Sequence, residues 1–177
     1  MSEPLESPVP RRIADIDWPR WTPVEKATLL FVISDGKILL IHKKTGLGAG
    51  KINGPGGRIE AGEEAMQAAV REVEEELCVT PTGVRACGEL YFQFTDGYSL
   101  HGAVFTASGV NGEPRETREA APLWTPVDRI PYRRMWEDDR LWLPLMLAGK
   151  RFRGFFVFEG DRMLDSRVED EYTPMAP

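Results

Sequence analysis

Between Gly54 and Val79 the chain reads GPGGRIEAGEEAMQAAVREVEEELCV, a glycine-rich turn feeding an amphipathic helix that gathers glutamates toward its end. Met66, Val70, Val73 and Leu77 recur at i, i+4, i+7 and i+11. That spacing predicts one apolar stripe, which has to be buried against another element. Glu72, Glu75 and Glu76 spread over roughly a 100° arc on another side of the same helix. Carboxylates this close repel one another in water, and a divalent cation that takes oxygen ligands turns the repulsion into binding. Taken alone, such a run also reads as a solvated acidic face.

The spacing ahead of the acids decides between these readings. Gly57 is followed after five residues by Glu63, and after seven more by Arg71-Glu72-Val73-Glu74-Glu75-Glu76-Leu77-Cys78-Val79. This resembles the signature of the Nudix hydrolases, which cleave nucleoside diphosphates linked to another group. Every specified position agrees except a late glycine, here Cys78. That glycine serves the turn leaving the helix, where a left-handed backbone is easiest without a Cβ.

The resemblance implies an α/β fold, an α/β/α sandwich in which a central mixed β-sheet is flanked by helices. It also implies a pyrophosphate bond cut with magnesium, for which manganese can substitute. Carried over by position, Glu72, Glu75 and Glu76 are metal ligands, joined by the Gly56 backbone carbonyl. Arg71 pairs with a glutamate to hold it in place. Glu63 supports the loop–helix junction, a role compatible with a carboxylate meeting a helix N-terminus. A further glutamate from a distant loop completes the set. Glu119 is the candidate and Glu116 the alternative, and the general base stays open among Glu119, Glu75 and Glu76.

The rest of the chain is consistent with one enzyme domain. Its 177 residues suffice for a single full core. A net charge of −6 without a basic block argues against a grip on nucleic acid polymers, while leaving room for an anionic nucleotide held through a metal. No apolar run approaches the roughly 20 residues of a membrane span. The N-terminus lacks a signal-peptide pattern, and two cysteines cannot build a disulfide framework, so a cytoplasmic setting is expected. A monomer is the expected state. Residues 1–24, rich in proline, read as an arm whose Trp18 and Trp21 pack down on a surface; residues 25–168 read as the domain and 169–177 as a polar tail. Hairpins are expected around Asp35–Gly36 and Thr95–Gly97, and a late helix from about Glu137 to Leu147.

Three further stretches narrow the substrate: TGLGAGKINGPGG upstream of the acids, PYRRMWEDDRLWLPLML downstream, and the closing RFRGFFVFEG. They are similar to the Nudix members that clear oxidised purine nucleoside triphosphates from the nucleotide pool. That similarity implies a purine pocket built from Asn53, Trp136, Asp138 and Asp139. Phe92 and Phe94 add apolar wall, and Thr28, Lys43, Leu47 and Gly57 lie nearby. The residue types suit the task. Asn53 both donates and accepts, and two neighbouring buried carboxyls share a proton, so one donates while the other accepts. Alone, Asp138 and Asp139 read more readily as helix caps and Asn53 as a turn residue, and Trp136 reads also as core. Leu47, Ile52, Pro55 and Leu100 replace aromatic residues and a methionine of those relatives, so a less aromatic rim is expected. The implied reaction is hydrolysis of 8-oxo-dGTP, with 2-oxo-dATP beside it, to monophosphate and pyrophosphate. A Nudix hydrolase of a sugar nucleotide or pterin triphosphate is the alternative, and a non-catalytic nucleotide-binding module is the alternative from another class.

Overall fold

The computed structural model describes residues 8–170; the ends of the expected arm and tail, 1–7 and 171–177, lie outside the described residues. In chain order the elements are β1 (Glu25–Ser34), β2 (Lys37–Lys43), β3 (Ile52–Asn53), β4 (Gly56–Arg58), α1 (Ala65–Leu77), β5 (Thr80–Thr82), β6 (Arg85–Phe94), β7 (Ser99–Ala107), β8 (Gly109–Asn111), β9 (Ala120–Pro126), α2 (Asp139–Leu147), β10 (Phe152–Glu159) and β11 (Arg162–Asp170). The first hairpin turns where expected. Asp35 and Gly36 both take left-handed angles, φ 52° and 72°, the pairing that matches the twist of the flanking strands.

The main sheet runs β11-β10-β6-β7-β1-β2-β3, with β4 also on β1 and β9 on β2. β1 pairs with β7 and β6 with β10 in parallel, and the other pairings are antiparallel, so the sheet is mixed. The short β5 and β8 form a separate two-stranded sheet.

Strand alternation sorts the side chains onto two faces. Leu30, Val32, Leu39 and Ile41 point to α1 and bury Ala69, Val73 and Leu77 against them. Phe31, Phe152 and Phe156 point the other way and pack with Trp142, Leu143 and Met146 of α2. The helix seam differs from the expected stripe: Met66 is 44% exposed, and the buried line runs through Ala68, Ala69, Val73 and Leu77. Small alanines let the helix lie close to the sheet, and that close approach turns the larger Met66 outward.

The described part of the arm packs down. Ile13, Ile16 and Trp18 join Tyr91, Phe155, Val157 and Leu164 on the sheet face away from α2. β11 continues through Glu169 to Asp170, past the expected boundary at 168. The late helix starts at Asp139, two residues inside the expected span. Among the described residues no helix is long and apolar enough to cross a membrane, and both cysteines are free.

Candidate active site

The glycine turn exists to let three elements meet. Gly56 and Gly57 sit on β4, opposite Leu29 and Thr28 of β1. A Cβ on Gly56 would run into the Thr28 backbone, coming within 2.9 Å of its carbonyl carbon. A Cβ on Gly57 would stand 2.5 Å from both carboxylate oxygens of Glu72. Pro55 closes the turn, its carbonyl accepting from the Leu30 amide at 2.9 Å. The missing side chains thus make the space that Glu72 occupies.

Arg71 fixes the acids from the outer side. Its Nε and Nη2 donate to the two oxygens of Glu63 at 2.7 and 2.9 Å, a bidentate pair. Nη1 donates to Glu72 at 2.9 Å and to Glu75 at 3.2 Å, and Nη2 also reaches the Arg58 carbonyl. The Arg71 guanidinium holds the Glu63 carboxyl well below its usual range, at about 2. These bonds tie the loop that carries Glu63 to α1 and run from the same guanidinium to Glu72.

Glu72, Glu76 and Glu119 bring one carboxylate oxygen each within 4.8 Å of one another. Glu76 is 4% exposed, and its Oε2 has no hydrogen-bond partner among the described residues. Burial pushes its carboxyl up to about 8, with Glu72 and Glu119 adding to the shift while Lys43 and the Gly56 amide oppose it. The Glu72 carboxyl is also raised, mainly by burial, against the pull of Arg71. A buried, unpartnered carboxylate oxygen beside two more hard oxygen donors is costly alone and fits a divalent cation. Gly56 borders the same cavity of about 160 Å³.

Glu119 reaches the cluster through a tie that the sequence does not announce. Thr117 Oγ1 donates to the Glu76 carbonyl at 2.8 Å and accepts from the Glu119 amide at 3.3 Å, fastening the loop to the end of α1. The alternative, Glu116, pairs with Lys44 instead. Glu75 is not brought into the cluster; its exposed carboxylate faces solvent and Arg71.

A second cavity, of about 280 Å³, adjoins the acids and shares Lys43, Gly46, Gly56 and Gly57 with them. Every residue the sequence assigns to substrate borders it: Thr28, Lys43, Leu47, Asn53, Gly57, Phe92, Phe94, Trp136, Asp138 and Asp139. Asp138 and Asp139 are 2% and 7% exposed. Neither caps α2. Asp138 Oδ2 accepts from Trp142 Nε1 at 2.8 Å, and Asp139 Oδ2 from the Trp136 amide at 3.1 Å. Asp138 Oδ1 has no partner among the described residues. Burial raises both carboxyls, with Glu137 adding to the shift of Asp138 and Asp138 to that of Asp139, so ionising both together is disfavoured. Trp136 is set edge-on to Phe94 and Phe158, at 6.3 and 5.5 Å, with Lys51 Nζ 5.2 Å from its ring centre.

Two of the expected rim changes lie elsewhere. Ile52 is in the core and Pro55 is buried in the turn, while Leu47 and Leu100 do border the cavity. Tyr98 and Glu25, which sequence reasoning passed over, border it as well, the Tyr98 hydroxyl donating to Glu25 at 2.6 Å.

A sandwich of this topology, with a glycine turn delivering glutamates to a cation-sized gap, defines a class. The Nudix domain profile matches residues 11–146, and the chain belongs to the Nudix family. The match opens inside the arm, which the sequence had set apart from the domain. Over 147 residues the chain is 43% identical to the zebrafish (Danio rerio) oxidized purine nucleoside triphosphate hydrolase, covering 81% of this chain and 93% of that protein. It is 38% identical over 133 residues to the mouse (Mus musculus) protein of the same name, covering 75% and 85%. Among solved structures, the MutT protein of Bacillus halodurans superposes with a TM-score of 0.75 at 24% identity, over 82% of this chain and 98% of that one, a likeness of fold.

Proposed function

We propose that this protein hydrolyses oxidised purine nucleoside triphosphates, 8-oxo-dGTP foremost and 2-oxo-dATP beside it, to monophosphate and pyrophosphate with magnesium. The observation that carries the reading is the continuity of the two cavities through Lys43, Gly46, Gly56 and Gly57. A purine in the larger cavity directs its phosphates toward Glu72, Glu76 and Glu119. The names of the zebrafish and mouse relatives support the same substrate class.

Each side chain then has a task. Asn53 offers a donor and an acceptor to the base edge, and Trp136 stacks on it, a contact worth about 1–3 kcal/mol for base–aromatic pairs. The Asp138–Asp139 pair donates through its protonated carboxyl and accepts through the ionised one. An oxidised guanine carries a ring N–H where guanine has a lone pair, so a buried carboxylate acceptor there selects for the lesion. Glu72, Glu76 and Glu119 would hold the cation, which supplies positive charge to the phosphate oxygens and lowers the pKa of a bound water. Arg71 and Glu63 keep Glu72 in place. Water adds across the α–β anhydride, its oxygen to phosphorus, the bridging oxygen leaving with the pyrophosphate, and its proton passing to a carboxylate of the cluster. The setting we propose is a reducing cytoplasm, which the free cysteines suit, and the proposed state is a monomer.

Product analysis with 8-oxo-dGTP and magnesium tests the assignment. Wild type is expected to release monophosphate and pyrophosphate in equal amounts. Asp139→Asn is expected to lose most of the preference for the oxidised base while keeping the products. Release of inorganic phosphate alone, or an unchanged preference in the variant, would refute it.

A further inference from the structure

The β6–β7 hairpin supplies one wall of the larger cavity, with Phe92, Phe94, Tyr98 and Leu100 facing into it. Its open side is turned away from the arm, because Tyr91, Gln93 and Ser99 alternate to the opposite face. Besides its ring contacts with Tyr91, the arm hydrogen-bonds that face near the turn. Trp21 Nε1 donates to Gln93 Oε1 at 2.8 Å on β6, and the Val24 amide donates to Ser99 Oγ at 2.9 Å on β7. Gln93 and Ser99 are directly paired across the two strands. The arm therefore holds both partners of the last rung before the turn.

The grip is passed on through the Gln93 amide. With its oxygen engaged by Trp21, Nε2 is turned to the Phe94 and Tyr98 carbonyls, at 3.1 and 3.2 Å. Those residues close the turn, the Phe94 amide donating to the Tyr98 carbonyl at 2.9 Å. Their side chains cross to the cavity, where Phe94 meets Trp136 edge-on and Tyr98 reaches Glu25. The Trp21 donor and the two carbonyls select the same amide orientation, since a flipped amide sets an oxygen against the carbonyls and an NH2 against the indole N–H.

We infer that Trp21 and Gln93 are positioning residues: the N-terminal arm, from behind the sheet, sets the hairpin that forms a wall of the substrate cavity. The inference rests on the cavity being the purine site. The arm thus acts on substrate affinity, through a wall it never touches on the cavity side, and leaves the phosphate chemistry alone.

Three single variants separate this role from plain stability. Trp21→Phe keeps a ring against Trp18 and Tyr91 but loses the donor. Gln93→Glu can still accept from Trp21 but cannot donate to the carbonyls. Trp18→Phe loses an indole donor, to the Ile13 carbonyl, while keeping a ring against Tyr91 and leaving the Trp21–Gln93 bond in place. Amide hydrogen exchange at Phe94, read on the protein without substrate, is expected to quicken about fivefold in Trp21→Phe and Gln93→Glu, what one net hydrogen bond is worth. It should stay unchanged in Trp18→Phe. On 8-oxo-dGTP, KM is expected to rise about fivefold in the first two at nearly constant kcat, and in Trp18→Phe only Tm should fall. Equal KM and exchange in Trp21→Phe and Trp18→Phe would overturn the inference, as would wild-type values in Gln93→Glu. If exchange responds while wild type ignores 8-oxo-dGTP, the hairpin coupling stands and the substrate assignment fails.

Discussion

Replacing Gly57 by alanine puts a methyl group 2.5 Å from each carboxylate oxygen of Glu72. Ordinary contact needs about 3.5 Å, so the carboxylate has to retreat by about 1 Å. Retreat is cheap for the fold, because the obstructed atoms are the free end of a side chain. It sacrifices the 2.9 Å bond from Arg71 Nη1, about 1 kcal/mol once the partial exposure of Arg71 is discounted, or roughly 3 °C in Tm. It is expensive for the reaction. Glu72 leaves a cluster whose oxygens lie within 4.8 Å of one another, and a displacement of about 1 Å costs on the order of a hundredfold in rate. The expected outcome is therefore a near-native melting curve with kcat down about a hundredfold on 8-oxo-dGTP. Gly56→Ala is the contrast, since its methyl meets the Thr28 backbone, which cannot swing aside, and the cost falls on folding. A cycle with Glu72→Ala isolates the clash: the Tm loss of Gly57→Ala should vanish when the Glu72 side chain is absent. A Gly57→Ala enzyme within twofold of wild-type kcat would refute this account of the turn.

Other consequences are direct. Glu76→Gln should lower kcat by several powers of ten while leaving the fold intact, checked by single-turnover rates beside circular dichroism. Cys78→Gly should raise stability by about 1 kcal/mol, because Cys78 holds a left-handed conformation, φ 59° and ψ 31°, at the end of α1; an unchanged denaturation midpoint would contradict the strain argument. Asp138 and Asp139 have raised folded-state pKa values, so the folded protein binds more protons than the unfolded chain over the shifted range. Their stabilising contribution is complete below the ordinary carboxylate pKa near 4 and is lost as pH rises through the shifted values. Chemical denaturation should thus show wild type weakening as pH rises from about 4 through about 6, and less steeply in Asp139→Asn; parallel slopes would exclude the pair as the cause.

What the sequence makes legible follows from how far each interaction reaches along the chain. The acid box and its glycines are local, so their spacing carries the resemblance that implies a pairing of Arg71 with a glutamate, while the partners Glu63 and Glu72 emerge only in the fold. Cys78 is legible for the same reason, since a helix exit that favours glycine is a property of one residue's backbone. Glu119 is visible as a charge in a polar loop, but the Thr117 hydroxyl that fastens it to the Glu76 carbonyl spans 41 positions and leaves no pattern. The α1 stripe misleads because periodicity counts large apolar residues, whereas the contact is made by Ala68 and Ala69. β4, β5 and β8 span three residues each, too few to show a period of two. Asp138 and Asp139 stay ambiguous between cap and pocket until the fold shows that neither bonds an amide of α2's first turn from the capping position.

The most direct test of the account is a comparison of initial rates on 8-oxo-dGTP and dGTP with magnesium. The two substrates carry the same triphosphate and differ only in the base, so on the proposed reading any difference in rate arises at the edge that would face Asn53 and the aspartate pair. A preference of about a hundredfold in kcat/KM for the oxidised nucleotide is expected, the scale of one well-placed buried polar contact. Equal rates on both, or no turnover of either, would contradict it.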